Sequence, residues 1–407
     1  MNSPSSAEPQ NALWTFVEAG EYTVPSAPIG YTSAKDRIIA TFQKFWPSGK
    51  QTSPLLEEKE ELRNLPPERV QAILPTLEWQ DPAVALRATI ETWLDAAEPA
   101  NQIVFLVGPP DSGVSDILTD FAPLVGWPVV NAPSVDQILS GDDEALRPVL
   151  EQSEPCVIPS LEHWFLRHAH GLNLIRRLFS ALDQRNKRCL VGCDSWAWAY
   201  FREVLEREHS RVLCLQSFGA DRIEDWVISN IDREQIHIPW IREYGTGKYV
   251  LAPEQQEDNG FESSDFLAHL AAHSRGIPGV SWHLLKTAFQ SLPEEDVADE
   301  EQADQNRQRH GGVWIAPWAQ FMKPGVPEPG NPVTLFVLHT LLLHHGLSNE
   351  LLIELLPFDA DRIFRTLSLL RQELIVSEEQ DQWQVTGVGY PAVREFIASK
   401  SYLTDQF

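Results

Sequence analysis

The sequence predicts an α/β fold: a parallel-sheet core, then a helical lid, then a C-terminal winged-helix domain. Short apolar runs at 103–107, 129–130, 156–158, 188–192 and 212–215 alternate with helical patterns, which is how βαβ units of a parallel sheet read. The first run leads into Gly108-Pro109-Pro110-Asp111-Ser112-Gly113-Val114-Ser115, and Ile117, Leu118 and Phe121 then share one helical side. That strand, loop and helix have the layout G-x-x-x-x-G-K-[ST] of a phosphate-binding loop, with valine in place of lysine. Near the C-terminal end, three helical patterns precede two short strands, the order of a winged helix.

Each segment follows from its pattern. Residues 1–32 are rich in Ser, Pro, Ala and Glu and are expected to form a flexible N-terminal segment, although Trp14 and Phe16 can dock on the body. A helical lead-in is expected over 33–98 in three regions: Phe42 and Trp46 suit a first helix face, Leu62, Leu65, Val70, Ile73 and Leu74 a second region broken by Pro66-Pro67, and Val84, Leu86, Ile90, Trp93 and Leu94 a third. The core spans 99–220. Within it, Leu174, Ile175, Leu178, Phe179 and Leu182 form one apolar stripe. The lid spans 221–290 and is read as helical, with Ser264-Asp265 capping a helix that Gly276-Ile277-Pro278-Gly279 ends. An acidic, polar linker is expected over 291–330. In the winged helix, 331–407, helices are expected over 334–345, 349–356 and 359–373, followed by a hairpin around 378–381 and a last helix.

Composition narrows the function classes. The 407 residues hold 58 acidic and 32 basic side chains, a net charge of −26, which opposes contact with nucleic acid or an anionic bilayer. The third winged-helix helix balances Arg362, Arg365 and Arg371 against three carboxylates, and the wing Glu378-Glu379-Gln380-Asp381 is acidic, so DNA binding is disfavoured. The four cysteines, Cys156, Cys189, Cys193 and Cys214, fall in or beside buried strands and read as reduced core thiols. No secretory signal is apparent in residues 1–10, and the apolar stretch 333–347 is too short to span a bilayer, so a cytoplasmic protein is expected.

A phosphate-binding loop works through backbone N–H groups and a helix N-terminus, with lysine neutralising the outer phosphate and Ser or Thr holding magnesium. Ser115 is present, Val114 supplies no cation, and Asp111 adds a negative charge. The second acidic station is expected at the end of the third run, where Pro159 stands and Glu162 is the only nearby carboxylate. Glu162 either replaces the missing acid through a shifted turn or decorates the first turn of a helix over 161–167.

The order of these landmarks resembles the AAA+ and STAND class of P-loop ATPases, over about residues 100–290 with the trailing winged helix. The resemblance implies ATP or ADP with magnesium as cofactor, held at Gly108, Pro109, Asp111, Ser112, Gly113, Val114 and Ser115, with Ser115 as the magnesium contact. It implies a polar sensor after the fourth strand, at Cys193-Asp194-Ser195, and a basic residue in the lid, where Gly279 stands and Arg275 is adjacent. Arg202, Arg207 and Arg211 lie where the class can place an arginine finger. Because Val114, Pro159 and Gly279 remove three charged stations together, the expected protein is a pseudo-ATPase, binding nucleotide weakly or not at all and acting as a regulator or adaptor through a protein partner. Two alternatives remain open: a weak ATP-dependent switch with Glu162 and Asp194 as catalytic candidates beside Ser115 and Arg275, and a DNA-linked regulator.

Two further clusters invite sharper readings. His163, His168 and His170 lie close together, but only His163 and His170 share a helical face and no cysteine completes a metal set. The run Trp196-Ala197-Trp198-Ala199-Tyr200-Phe201 is expected to be core in part and a partner surface in part, with Ser195 as its helix cap.

Overall fold

A computed structural model of the chain describes residues 13–28, 63–96, 101–151, 155–184, 187–205, 211–233, 240–251, 262–291, 312–321, 323–327 and 332–407. Phe42, Trp46, Arg207 and most of the acidic stretch, 292–311, lie outside the described residues. Two compact units emerge: Met1–Thr23 with Leu77–Ser217 and Lys323–Phe407, and Val24–Thr76 with Phe218–Met322.

The first unit carries a sheet in the order Phe16–Glu18, Arg211–Leu215, Ile103–Gly108, Cys189–Asp194, Cys156–Ile158. Phe16–Glu18, inside the segment expected to be flexible, pairs antiparallel with Arg211–Leu215, and every other pairing is parallel. Val129 adds a parallel bridge to Val157, and the Val130 N–H donates to the Val157 carbonyl at 2.8 Å, so all five apolar runs join one sheet. Helices pack on both faces, which is why its strands read as continuous apolar runs rather than alternating ones. Val104 and Leu106 face Ile117, Leu118 and Phe121 of helix Val114–Val125 and Leu86 of helix Gln80–Thr89. Phe105 points the other way, 4.8 Å from the Trp198 ring and 6.3 Å from Phe179.

The C-terminal part of this unit has the winged-helix order: helices Pro332–Leu343, Asn349–Leu355 and Ala360–Gln372, then strands Val376–Glu379 and Gln382–Val385, then helix Tyr390–Ser399. The Ser348 hydroxyl caps its helix by accepting from the Leu351 N–H. Gln380 and Asp381 both take positive φ, 50° and 62°, as a two-residue hairpin turn requires. Helix Pro332–Leu343 is apolar nearly all round because it is covered nearly all round, including by helix Ser195–Leu205.

The second unit differs from the helical lid that the sequence suggests. Helices Ala220–Arg233, Phe266–His273 and Pro278–Ala288 are present, but a five-stranded sheet accompanies them. Its order is Arg63–Asn64, Phe289–Ser291, Val313–Ile315, Ile241–Glu243, Tyr249–Leu251. Each strand has only two or three residues, too few for an alternation to register in sequence. The helical lead-in also divides: helix Pro67–Ile73 belongs to the second unit and helix Gln80–Thr89 to the first.

Candidate functional site

The loop from Gly108 to Ser115 joins strand Ile103–Gly108 to helix Val114–Val125, as the motif demands. Gly113 sits at φ 75°, and a Cβ there would meet the Trp79 ring at 2.5 Å, so glycine is required twice over. Asp111 adopts φ 62°. The loop turns its donors on itself: the Ser112 N–H donates to the Pro109 carbonyl at 3.1 Å, and the Ser112 hydroxyl donates to the same oxygen at 2.6 Å. Val114, in the lysine position, packs against the hydrophobic core cluster.

The second station is not where the sequence placed it. The residue that meets Ser115 is Ser160 rather than Pro159, its hydroxyl donating to the Ser115 Oγ at 2.8 Å. Proline cannot turn a side chain toward the loop there, and its carbonyl lies so close to Gly192 that any Cβ at 192 would collide with it. The position facing the magnesium-type serine therefore carries a hydroxyl and no charge.

Glu162 stands in the first turn of the element that begins at Leu161, as one of its two expected roles has it, but that element is short. The helix expected over 161–167 is a single 3-10 turn, Leu161–His163, and Glu162 is buried beneath it. Its Oε2 accepts the Asp194 N–H at 2.9 Å, which ties the turn to the end of strand Cys189–Asp194. Asp194, also buried, caps helix Ser195–Leu205 by accepting the Trp196 N–H on Oδ1 at 2.8 Å. The expected cap, Ser195, donates instead to Asp405 Oδ2 at 2.5 Å. Burial raises the carboxyl pKa values of both Glu162 and Asp194, and burial with the neighbouring Asp120 raises that of Asp116.

The cation at this site is one that sequence reasoning missed. His345, just beyond helix Pro332–Leu343 and held at φ 51°, places Nδ1 3.3 Å from Asp194 Oδ2. Desolvation lowers its pKa, but the hydrogen bond and charge of Asp194, with Glu162 and Asp111 behind it, win and raise it to about 9. Its side chain is 45 % exposed, so water screens part of this attraction. A histidine 151 residues from its carboxylate leaves no spacing signal; only the unusual His344-His345-Gly346 end of a helix marks it.

Arg275, at φ 58°, and Gly279, near the start of helix Pro278–Ala288, belong to the second unit. Arg202 donates to Gln406 at 3.0 Å, and Arg211 pairs with Glu18 at 2.9 Å. The His163 ring lies 6.3 Å from His345, and His168 lies 5.7 Å from His170; no metal-type cluster occurs among the described residues. Trp196, Trp198 and Phe201 are buried in the core, and Tyr200 is half-buried.

These residues fit a magnesium-bound triphosphate poorly. Such a ligand needs a cation at position 114 and a carboxylate opposite Ser115, and here valine and serine stand in those places. The two nearest buried carboxylates are already committed, Glu162 to a backbone N–H and Asp194 to an N–H and to His345.

Fold and loop together define a P-loop-type α/β core followed by a winged helix. Over most of its length and at low sequence identity, the chain is similar in structure to AAA+ ATPases. It is 14% identical to the RuvB Holliday junction branch migration motor of Thermotoga maritima, covering 83% of this chain and 96% of that one with a TM-score of 0.30. A Walker-type ATPase of Pyrococcus abyssi is 10% identical, with 76% and 95% covered and a TM-score of 0.31. Cdc6p of Pyrobaculum aerophilum is 14% identical, with 82% and 98% covered and a TM-score of 0.30. No family model matches the sequence, and no curated protein matches it. Among the described residues, no helix is long and apolar enough to cross a membrane.

Proposed function

We propose that this chain is a non-hydrolysing regulatory or adaptor protein that keeps a P-loop-type core as architecture and works through protein contacts. The observation that carries the reading is the internal pairing of the site's charges. Asp194 is paired with His345, Glu162 is spent on the Asp194 N–H, and the Ser115 hydroxyl is bonded to Ser160. A triphosphate would find a loop without its cation and with the added negative charge of Asp111. Losing one charged hydrogen-bond donor costs about 1.5–3 kcal/mol, roughly a tenfold to hundredfold loss of affinity before any effect on the transition state. Nucleic acid is a poor partner for a chain of charge −26 with an acidic wing.

Calorimetry with ATP and magnesium, alongside a phosphate-release assay, tests this reading. The natural chain is expected to show no turnover above buffer and no micromolar binding. The double variant Val114→Lys with Ser160→Asp, which restores both stations, is expected to gain affinity by about tenfold or more. Micromolar binding with slow turnover by the natural chain would establish the ATP-dependent switch instead.

A further inference from the structure

The second unit holds a cavity of about 140 Å³ lined in part by Glu243, Lys248, Asp265, Phe266, His269 and Trp318. Small-molecule sites typically start at about 300 Å³, so this one has room for a single long side chain and not for a nucleotide. Its wall is aromatic. Trp318 lies 5.5 Å from the Phe266 ring and stacks within 10° of parallel with the His269 ring at 5.9 Å. The fold fixes these positions, since Phe266 and His269 stand one turn apart on helix Phe266–His273.

The polar side of the cavity is acidic. Glu243 ends strand Ile241–Glu243, where the hydroxyls of Ser264 and Thr246 donate to it and hold its carboxylate in place. Asp265 stands at the N-cap of helix Phe266–His273, but its side chain makes no capping hydrogen bond, so its carboxylate is not consumed by the helix. The one lysine of the lining is already paired, Lys248 Nζ lying 3.2 Å from Glu262. Glu262, then Asp265 and Glu243, raise the pKa of that lysine, as a locally negative field should. Among the described lining residues, two carboxylates stand beside an indole, and the one lysine there is paired with Glu262, a setting chemically complementary to a positive group.

We propose that this cavity is a recognition site for an arginine side chain presented by a basic segment of a protein partner. A guanidinium is planar, packs against aromatic rings, and offers a fork of donors to carboxylates, whereas an ammonium provides only a point charge. The chain's net charge of −26 would draw such a segment in from a distance. The site lies in the second unit and stands whether or not the Gly108–Ser115 loop binds nucleotide.

The test is a titration of the full chain with three blocked tripeptides, Gly-Arg-Gly, Gly-Lys-Gly and Gly-citrulline-Gly, followed by saturation-transfer NMR at low and high salt. The arginine peptide is expected to bind at least fivefold more tightly than the neutral citrulline peptide and more tightly than the lysine peptide. Its affinity is expected to fall with salt and to drop at least fivefold in Asp265→Asn. That isosteric change guards against Trp318→Ala, which removes the centre of the aromatic cluster and can disturb the fold; Trp318→Phe serves as the milder aromatic test. Equal binding of arginine and citrulline peptides, or full binding by Asp265→Asn, would overturn the proposal. Equal binding of the lysine peptide would overturn the guanidinium assignment.

Discussion

His344 and His345 are adjacent in the chain and end in opposite electrostatic surroundings. His345 turns toward the loop end of the sheet, pairs with Asp194, and has its pKa raised to about 9. His344 turns the other way, into contact with Phe165 at 4.6 Å, and burial lowers its pKa to about 3. Five residues earlier, burial lowers that of His339 to about 4. One side of this junction between core and winged helix is thus held by a charge pair, and the other by aromatic packing that requires neutral imidazoles. A histidine from the C-terminal part of the same unit thus meets the acid that ends strand Cys189–Asp194.

Acidification should break the dry side first and most strongly. His339 and His344 have folded pKa values below their ordinary 6.5, so the unfolded chain takes up protons more readily and stability falls as pH drops below about 6.5 toward 4 and 3. The loss is expected to be on the order of 5 kcal/mol for the pair by pH 4, offset in part by Glu162 and Asp194, whose raised values act in the opposite direction. Urea unfolding across pH 7 to 4 measures it, and a His339→Phe variant should flatten the acid limb.

The next largest effect is expected from Asp405→Ala. Asp405 Oδ1 accepts from Arg394 at 3.0 Å, and its Oδ2 accepts from Ser195, at the dry side of the junction. Its side chain is fully buried and Arg394 only 17 % exposed, so its removal leaves a largely buried guanidinium without its carboxylate, at a cost of about 3 kcal/mol. The melting temperature reports the loss. Asp405→Asn should cost less, and an unchanged melting temperature in Asp405→Ala would show that this network does not hold the junction.

His345→Ala sharpens the charged side. The raised pKa of His345 means its contribution is fully present below about pH 6.5 and is lost as pH rises through about 9. The variant should be less stable by about 1–2 kcal/mol at pH 6 and indistinguishable from the natural chain near pH 10. A difference that persists undiminished at pH 10 would point to packing instead of charge. The smallest effect is expected from Ser160→Ala, which removes one hydroxyl pair with Ser115 at a cost of about 1 kcal/mol, measurable by denaturant midpoint.

How much was legible in the sequence differs from segment to segment. The five apolar runs and the loop were visible because a strand buried on both faces is a continuous apolar word and the glycine spacing is local. Val114 was legible for the same reason. Ser160 was not, because which of Pro159 and Ser160 faces Ser115 depends on register between neighbouring strands. The sheet of the second unit was invisible, since its strands are two or three residues long and pair 63–64 with 289–291 and 241–243 with 313–315. Glu162 was singled out, but its burial against the Asp194 N–H arises only when two strand ends meet.

By itself the sequence determined the order of core elements, the absent lysine and the excess of acid, because local pattern and composition encode them. Only the tertiary structure decided that Asp194 faces His345 and that Ser160 faces Ser115. Those contacts join residues 151 and 45 positions apart, and the distance between such residues is set by how the sheet and the winged helix pack, which no local pattern records.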